Sequence, residues 1–218
     1  MDIDVTEPVP ADSALRRRLL GIGLGGAAVS LLPFLMGRAS ATTTTGSTSD
    51  TTPATTTTAP PKRPSTDDVS MLGFAQSVEL AARDLYDVAL RTSGFEADQR
   101  AVIATIRESH DAYAASLSAI LGRLAPQTPN PVVESLSSSF AGETSTILDA
   151  TYSLESTAVA THTDILGKLQ GTDGATLLAS ILIVEARHGT VLAYLNGKTE
   201  LDDLLVNNEA DALTPAEG

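Results

Sequence analysis

Past residue 66 the chain sets apolar residues at helical spacing in four long stretches. The first, about 68–91, carries Leu72, Ala75, Ala82, Tyr86 and Ala89 on one stripe, a recurrence of three, four and seven that puts them on one helical face. Thr66 reads as its N-cap, with Asp67 and Asp68 suited to the helix N-terminus, and Ser93-Gly94 ends it. The second, about 97–124, is striped by Ile103, Ile106, Tyr113, Leu117 and Ile120 and stops before Pro126. A proline-rich break (Pro126, Pro129, Pro131) leads into a short apolar-polar piece at 132–140. The third, about 144–169, repeats Leu148, Thr151, Ala158, Ile165 and Leu169. A turn at 171–174 opens the fourth, with Leu178, Ile181, Val184, Val191, Leu192 and Leu195, and Asn196-Gly197 closes it. Four helices of shared length with short connections predict an all-α, antiparallel up-down four-helix bundle over residues 67–197. The tail, 198–218, is acidic and reads as loose apart from one apolar cluster at 201–206.

The chain ahead of the helices has a different character. Residues 1–12 are acidic and without period, and then Arg16, Arg17 and Arg18 precede a Gly-spaced apolar run and Ala39-Ser40-Ala41. Basic, apolar and small-residue regions in that order make an export signal over residues 1–41. It resembles a twin-arginine signal, since Arg16-Arg17 is followed at one remove by Leu19-Leu20. The resemblance implies the twin-arginine export machinery as partner and an extracytoplasmic or cell-surface location. The apolar run 19–36 is also just long enough to span a bilayer, so retention as an anchor stands beside cleavage after Ala41. Residues 42–66 are almost only Thr, Ser, Pro, Ala and Gly. Such a stretch has too little apolar surface to offset its ordering entropy, and reads as a disordered linker or glycosylated stalk.

Composition narrows the chemistry. Hydrophobic residues make up 42% of the 218 and aromatics only 4%, so the core is built from Ala, Leu, Val and Ile, as suits close-packed helices. Cys is absent, which removes disulfides, thiolate ligands and a cysteine nucleophile. A formal charge of −13 argues against nucleic acid as a partner, and the only membrane contact expected is through the N-terminal segment. A homo-oligomer stays open. No nucleophile elbow is present, and the Gly-rich run 21–26 belongs to the signal rather than to a phosphate loop.

The candidate site lies where polar residues interrupt the apolar stripes. Glu79 falls between Ala75 and Ala82, His110 between Ile106 and Tyr113, and Glu155 between Thr151 and Ala158. His162 follows Glu155 by two turns on the same face, and Glu185 and His188 share a face of the fourth helix, one turn apart. All three histidines of the chain therefore point inward. Glu79, His110, Glu155, Glu185 and His188 lie near the middles of their helices, which in an up-down bundle form one layer. Carboxylates crowded together there repel, and a metal cation relieves this. Carboxylate and imidazole without thiolate suit iron, manganese or zinc.

This constellation resembles the ferritin-like four-helix carboxylate proteins, whose site is a Glu on each of two helices and Glu-x-x-His on the other two. Glu79 matches the first Glu, Glu155 that of the third helix, and Glu185-Ala-Arg-His188 the motif of the fourth. Among exported bacterial members the chain looks like the desiccation-related, stress-response type. The resemblance implies one or two ions of iron or manganese handling oxygen, peroxide or Fe(II). The second helix departs from the pattern, with Arg107 where Glu should stand three residues before His110. Glu108 is roughly 200° round the helix from His110 and should face away. Arg107 lies only about 60° from His110 in projection, so two readings stand: an outer partner of the metal site, or a guanidinium that leans inward, pairs with Glu79 or Glu185 and substitutes for a metal. The alternative function is thus a non-catalytic cell-surface module with a buried Arg–Glu network and no metal. His162 is expected as a hydrogen-bonded core histidine or an outer partner of the site.

Overall fold

The computed structural model describes residues 59–215. Arg16, Arg17, the signal and most of the linker lie outside the described residues. Within them the chain forms α1 (Thr66–Leu90), α2 (Ala97–Leu121), α3 (Pro131–Glu134), α4 (Thr144–Leu166), α5 (Thr172–Leu195) and α6 (Leu201–Leu204), with 3-10 turns at Gly122–Leu124 and Ser135–Phe140. Among the described residues there is no strand.

Local chemistry sets the helix ends. The cap of α1 is Ser65, one residue before the expected Thr66: its hydroxyl accepts from Asp68 N (3.2 Å), and the Asp68 carboxylate accepts from Ser65 N (2.8 Å). This reciprocal box satisfies two of the N–H groups that a helix start leaves free. Asp68 also accepts from Gln170 N (2.9 Å) and Gly171 N (2.8 Å), tying the start of α1 to the turn between α4 and α5. Burial pushes the Asp68 carboxyl up, but the backbone donors Gln170, Ser65 and Gly171 outweigh it and hold the pKa below the usual range. α2 ends three residues earlier than its stripe suggests, because Gly122 takes a φ of +58° and the chain tightens into a 3-10 turn. α4 likewise stops at Leu166 rather than 169. α5 ends at Leu195, with Gly197 at φ +82°.

α1 packs on α2 and α4 on α5, with further contacts between α1 and α4 and between α2 and α5. Leu72, Ala75, Leu117, Leu121, Ile165, Leu178 and Ile181 fill the core on one side of the polar level, while Leu85, Ala89, Ile103, Ile147, Leu148 and Leu192 are buried beyond it. Two flanking segments join this unit. Pro61 O and Lys62 O accept from Thr172 N and Asp173 N (3.0 Å each), so the end of the linker supplies partners for the first turn of α5. The tail is pinned rather than loose. Tyr152 OH donates to Leu205 O (2.5 Å), Asn207 N to Ser156 Oγ (3.1 Å) and Leu213 N to Thr161 Oγ1 (2.9 Å), all along α4. Val206 of this strap sits over Gly189, where an added Cβ would come within 2.7 Å of it.

Candidate metal centre

Four helices carry polar side chains into the same level of the core. α1 brings Glu79 and, two turns on, Tyr86; α2 brings His110; α4 brings Glu155 and His162; α5 brings Glu185 and His188. Their atoms form one connected run. His188 Nδ1 lies 3.3 Å from Glu155 Oε2, and Glu155 Oε1 accepts from Tyr86 OH (2.5 Å) and lies 3.0 Å from His110 Nε2. His110 Nδ1 lies 2.7 Å from Glu79 Oε2, Glu79 Oε1 lies 3.4 Å from His162 Nε2, and His162 Nδ1 lies 2.8 Å from Glu185 Oε2. Tyr86 also stacks on His110, with ring centroids 5.2 Å apart and an interplanar angle of 27°. Tyr86 stands two turns beyond Glu79 and crosses to Glu155, while His162 stands two turns beyond Glu155 and crosses to Glu79.

The cluster is dry. Glu79 is 1% exposed, His110, Glu155, His162 and Glu185 are 0% exposed, and only His188 retains partial exposure, with 12% of its side chain accessible. An unpaired carboxylate at such depth costs several kcal/mol, so each needs a positive partner. Titration follows from that demand. Burial pushes His110 down, but Glu155 and Glu79 outweigh it and hold its pKa well above the usual imidazole value. Burial also opposes the charged form of His162, yet Glu185 and Glu79 raise its pKa to about 8. Burial pushes Glu155 up, but His110 and His188 bring it well below the carboxylate range. Burial raises Glu185 to about 7, with Glu79 and Glu155 adding to the rise and His162 opposing it. Burial and then the Glu155 charge keep the Tyr86 phenol protonated far above its usual range.

The donor set fits a cation. Two overlapping groups, His110–Glu155–His188 and Glu79–His110–Glu185, each place one ligand atom per residue within 4.8 Å of the others. Three buried polar atoms have no hydrogen-bond partner among the described residues: Glu79 Oε1, His162 Nε2 and Glu185 Oε1. Orphaned buried acceptors call for an explanation, and carboxylate oxygens and imidazole nitrogens are what borderline divalent ions take.

The sequence reading is corrected at Arg107. Its guanidinium does not reach Glu79 or Glu185; Nε lies 3.0 Å and Nη2 3.3 Å from the two Asp87 oxygens, and Nη1 lies 3.7 Å from Asp111 Oδ2. Asp87 on α1 and Asp111 one turn along α2 offer a half-wet ion pair at the rim, which avoids the cost of burying the guanidinium. No buried Arg–Glu network forms at these glutamates. Glu108 is exposed, as its angle on the helix requires. His162, expected as a core or outer histidine, stands between Glu79 and Glu185, inside the cluster. The role of Tyr86 was missed: its place on the α1 stripe was legible, but not the acceptor across the core.

Among the described residues the fold is all-helical, with carboxylates and imidazoles gathered at mid-core in groups that could hold a metal ion. A family model described as a ferritin-like domain matches residues 67–198, more than half of the chain, and the protein belongs to that family. Neither a curated protein nor a solved structure matches it.

Proposed function

We propose that this chain is an exported ferritin-like protein that binds iron or manganese through Glu79, His110, Glu155, Glu185 and His188. The observation that carries the reading is the set of three buried glutamates, two of them (Glu79 and Glu185) with an orphaned oxygen, held among imidazoles from α2, α4 and α5. Glu79 and Glu185 would serve one side of the centre and Glu155 and His188 the other, with His110 common to both groups. Bound iron or manganese would supply redox chemistry toward oxygen, peroxide or Fe(II). The protein's own residues orient and shield the site. Tyr86 holds one Glu155 oxygen in place, the packed layers on either side exclude water, and His188 is the ligand nearest solvent. The reading extends to a layout in which the long helices run up and down as an antiparallel bundle, joined by the short links 91–96 and 167–171. Elemental analysis of protein purified from its own host tests it. Near-stoichiometric iron or manganese, lost together with thermal stability on chelation, is expected, since an ion that binds only the folded state stabilises it. Metal-free protein whose melting ignores chelator and added Mn(II) or Fe(II) refutes it.

One observation favours a second reading. Each buried glutamate already faces an imidazole, so protonated histidines, rather than Arg107, would neutralise the glutamates in a metal-free surface module. The chelation experiment separates the two readings.

Export rests on Arg16, Arg17 and the apolar run after them, with the twin-arginine machinery as partner and the domain held away from the membrane by the Thr-rich linker. A machinery that carries folded cargo would let the domain take its metal before export. Replacing Arg16 and Arg17 by Lys should strand the protein in the cytoplasm, and undiminished export of that variant would overturn the assignment.

A further inference from the structure

Arg107 leaves α2 with a single inward donor, His110, where the family pattern has a carboxylate as well. His162 lies where that loss would be felt. It is 0% exposed, it comes from α4, and its two ring nitrogens face carboxylates of two other helices. The two faces differ. Nδ1 lies 2.8 Å from Glu185 Oε2, a good hydrogen bond with Nδ1–H as donor. In the neutral ring that bond fixes the tautomer and leaves Nε2 with its lone pair exposed. Nε2 then points at Glu79 Oε1 from 3.4 Å, and neither atom has a hydrogen-bond partner. Two buried lone-pair atoms facing each other need something positive between them. A separation of 3.4 Å is long for a hydrogen bond to a charged group. It is a spacing that would suit two donors sharing one ion, each about 2.1 Å from it.

We propose that His162 is itself a metal ligand, entering through Nε2 beside Glu79, and that it fills the place in the ligand shell that Arg107 leaves open on α2. The inference rests on the metal-binding reading above and names a residue that the family pattern does not supply. It adds His162 to the group Glu79, His110 and Glu185, whose ligand atoms lie within 4.8 Å of one another without it, with Glu185 acting twice, as ligand through Oε1 and as acceptor for His162 through Oε2. A carboxylate that orients a ligating imidazole through its second nitrogen is a recurrent feature of such centres. The centre is then lopsided: one ion draws on four residues, and Glu155 with His188 is left as a poorer second position.

The test is Co(II) titration of the chelator-treated full chain, followed by calorimetry and by visible ligand-field absorption, beside His162→Gln. Glutamine keeps an amide N–H for Glu185 but is a poor ligand, so it preserves a hydrogen-bonding role and removes a ligating one. Affinity alone does not decide, because losing an outer hydrogen-bonding partner already weakens metal binding about 10–100-fold. The spectrum does decide. Loss of one nitrogen from the shell should shift the cobalt bands in His162→Gln, and free imidazole added to His162→Gly should restore them. Bands in His162→Gln that match the parent's overturn the inference and leave the metal-binding reading standing. A parent that takes up no cobalt overturns both. Should His162→Gln fail to fold by circular dichroism, the glycine variant carries the test: restoration by imidazole supports ligation and its absence refutes it.

Discussion

Raising the pH should destabilise the metal-free protein, and a lower bound on the effect follows from two buried groups, with His110, also held well above 6.5, adding to it in the same direction. His162 holds its proton to about 8 in the folded protein against 6.5 as a free side chain, and Glu185 to about 7 against 4.5. Both bind a proton more tightly folded than unfolded. Their stabilising contributions are therefore complete below the unfolded values and are lost as pH rises through about 7 for Glu185 and about 8 for His162. Glu155 has the opposite shift, but its contribution is complete above 4.5 and stays constant across this range. At about 1.4 kcal/mol per pKa unit, His162 alone accounts for about 2 kcal/mol. Glu185 shares the same 2.8 Å contact, so the two are not simply added, and a total of about 2–4 kcal/mol is expected. For a domain of this size that is on the order of 10 °C in melting temperature. Thermal melts of chelator-treated protein between pH 6 and 9 measure it (~10 °C expected). A melting temperature that is flat or rises over that range refutes the reasoning. Protein loaded with Mn(II) should show the reverse trend in its metal increment, because ligands must lose protons to bind.

Three further outcomes are expected. Arg107→Ala should cost less than about 1 kcal/mol in urea unfolding, because its pairs with Asp87 and Asp111 are half exposed; a loss of several kcal/mol would put the guanidinium back among the glutamates. Tyr86→Phe should cost about 1–2 kcal/mol by removing a buried donor from Glu155, with helix content unchanged by circular dichroism. Gly189→Ala should free the C-terminal strap, since its Cβ would stand 2.7 Å from a stiff valine methyl. Limited proteolysis after residue 201 should then become faster, and an unaltered cleavage rate would count against the docking.

The helices were legible because four apolar stripes of one period leave little choice of secondary structure. So were the inward sides of Glu79, His110, Glu155 and Glu185, since an angle on a helix is fixed by counting. What counting does not supply is the axial offset between helices. His162 shares a face with Glu155, yet it meets Glu79 and Glu185 because α4 is set so that its second turn past Glu155 reaches them. The same offset gives Tyr86 its acceptor. Arg107 failed for another reason: its long side chain reaches in several directions, and projection on a wheel does not weigh two aspartates at the rim against three glutamates in the dry core. The tail misled through its composition, because what holds it is single hydroxyls of Tyr152, Ser156 and Thr161 meeting its backbone.

The contacts at both ends of the helical unit bear on where the module begins and ends. The family match runs over 67–198, but a fragment cut there would not be self-sufficient. It would lack Ser65, breaking the box with Asp68, and it would lack the Pro61 and Lys62 carbonyls that meet the first N–H groups of α5. It would also strip Val206 from the notch at Gly189, the residue next to His188. By its own hydrogen bonds the helical unit reaches from Pro61 to Leu213. Swapping or transplanting this domain by the borders of its homology would thus hand the recipient the Glu/His cluster without the flanking contacts that brace its helices.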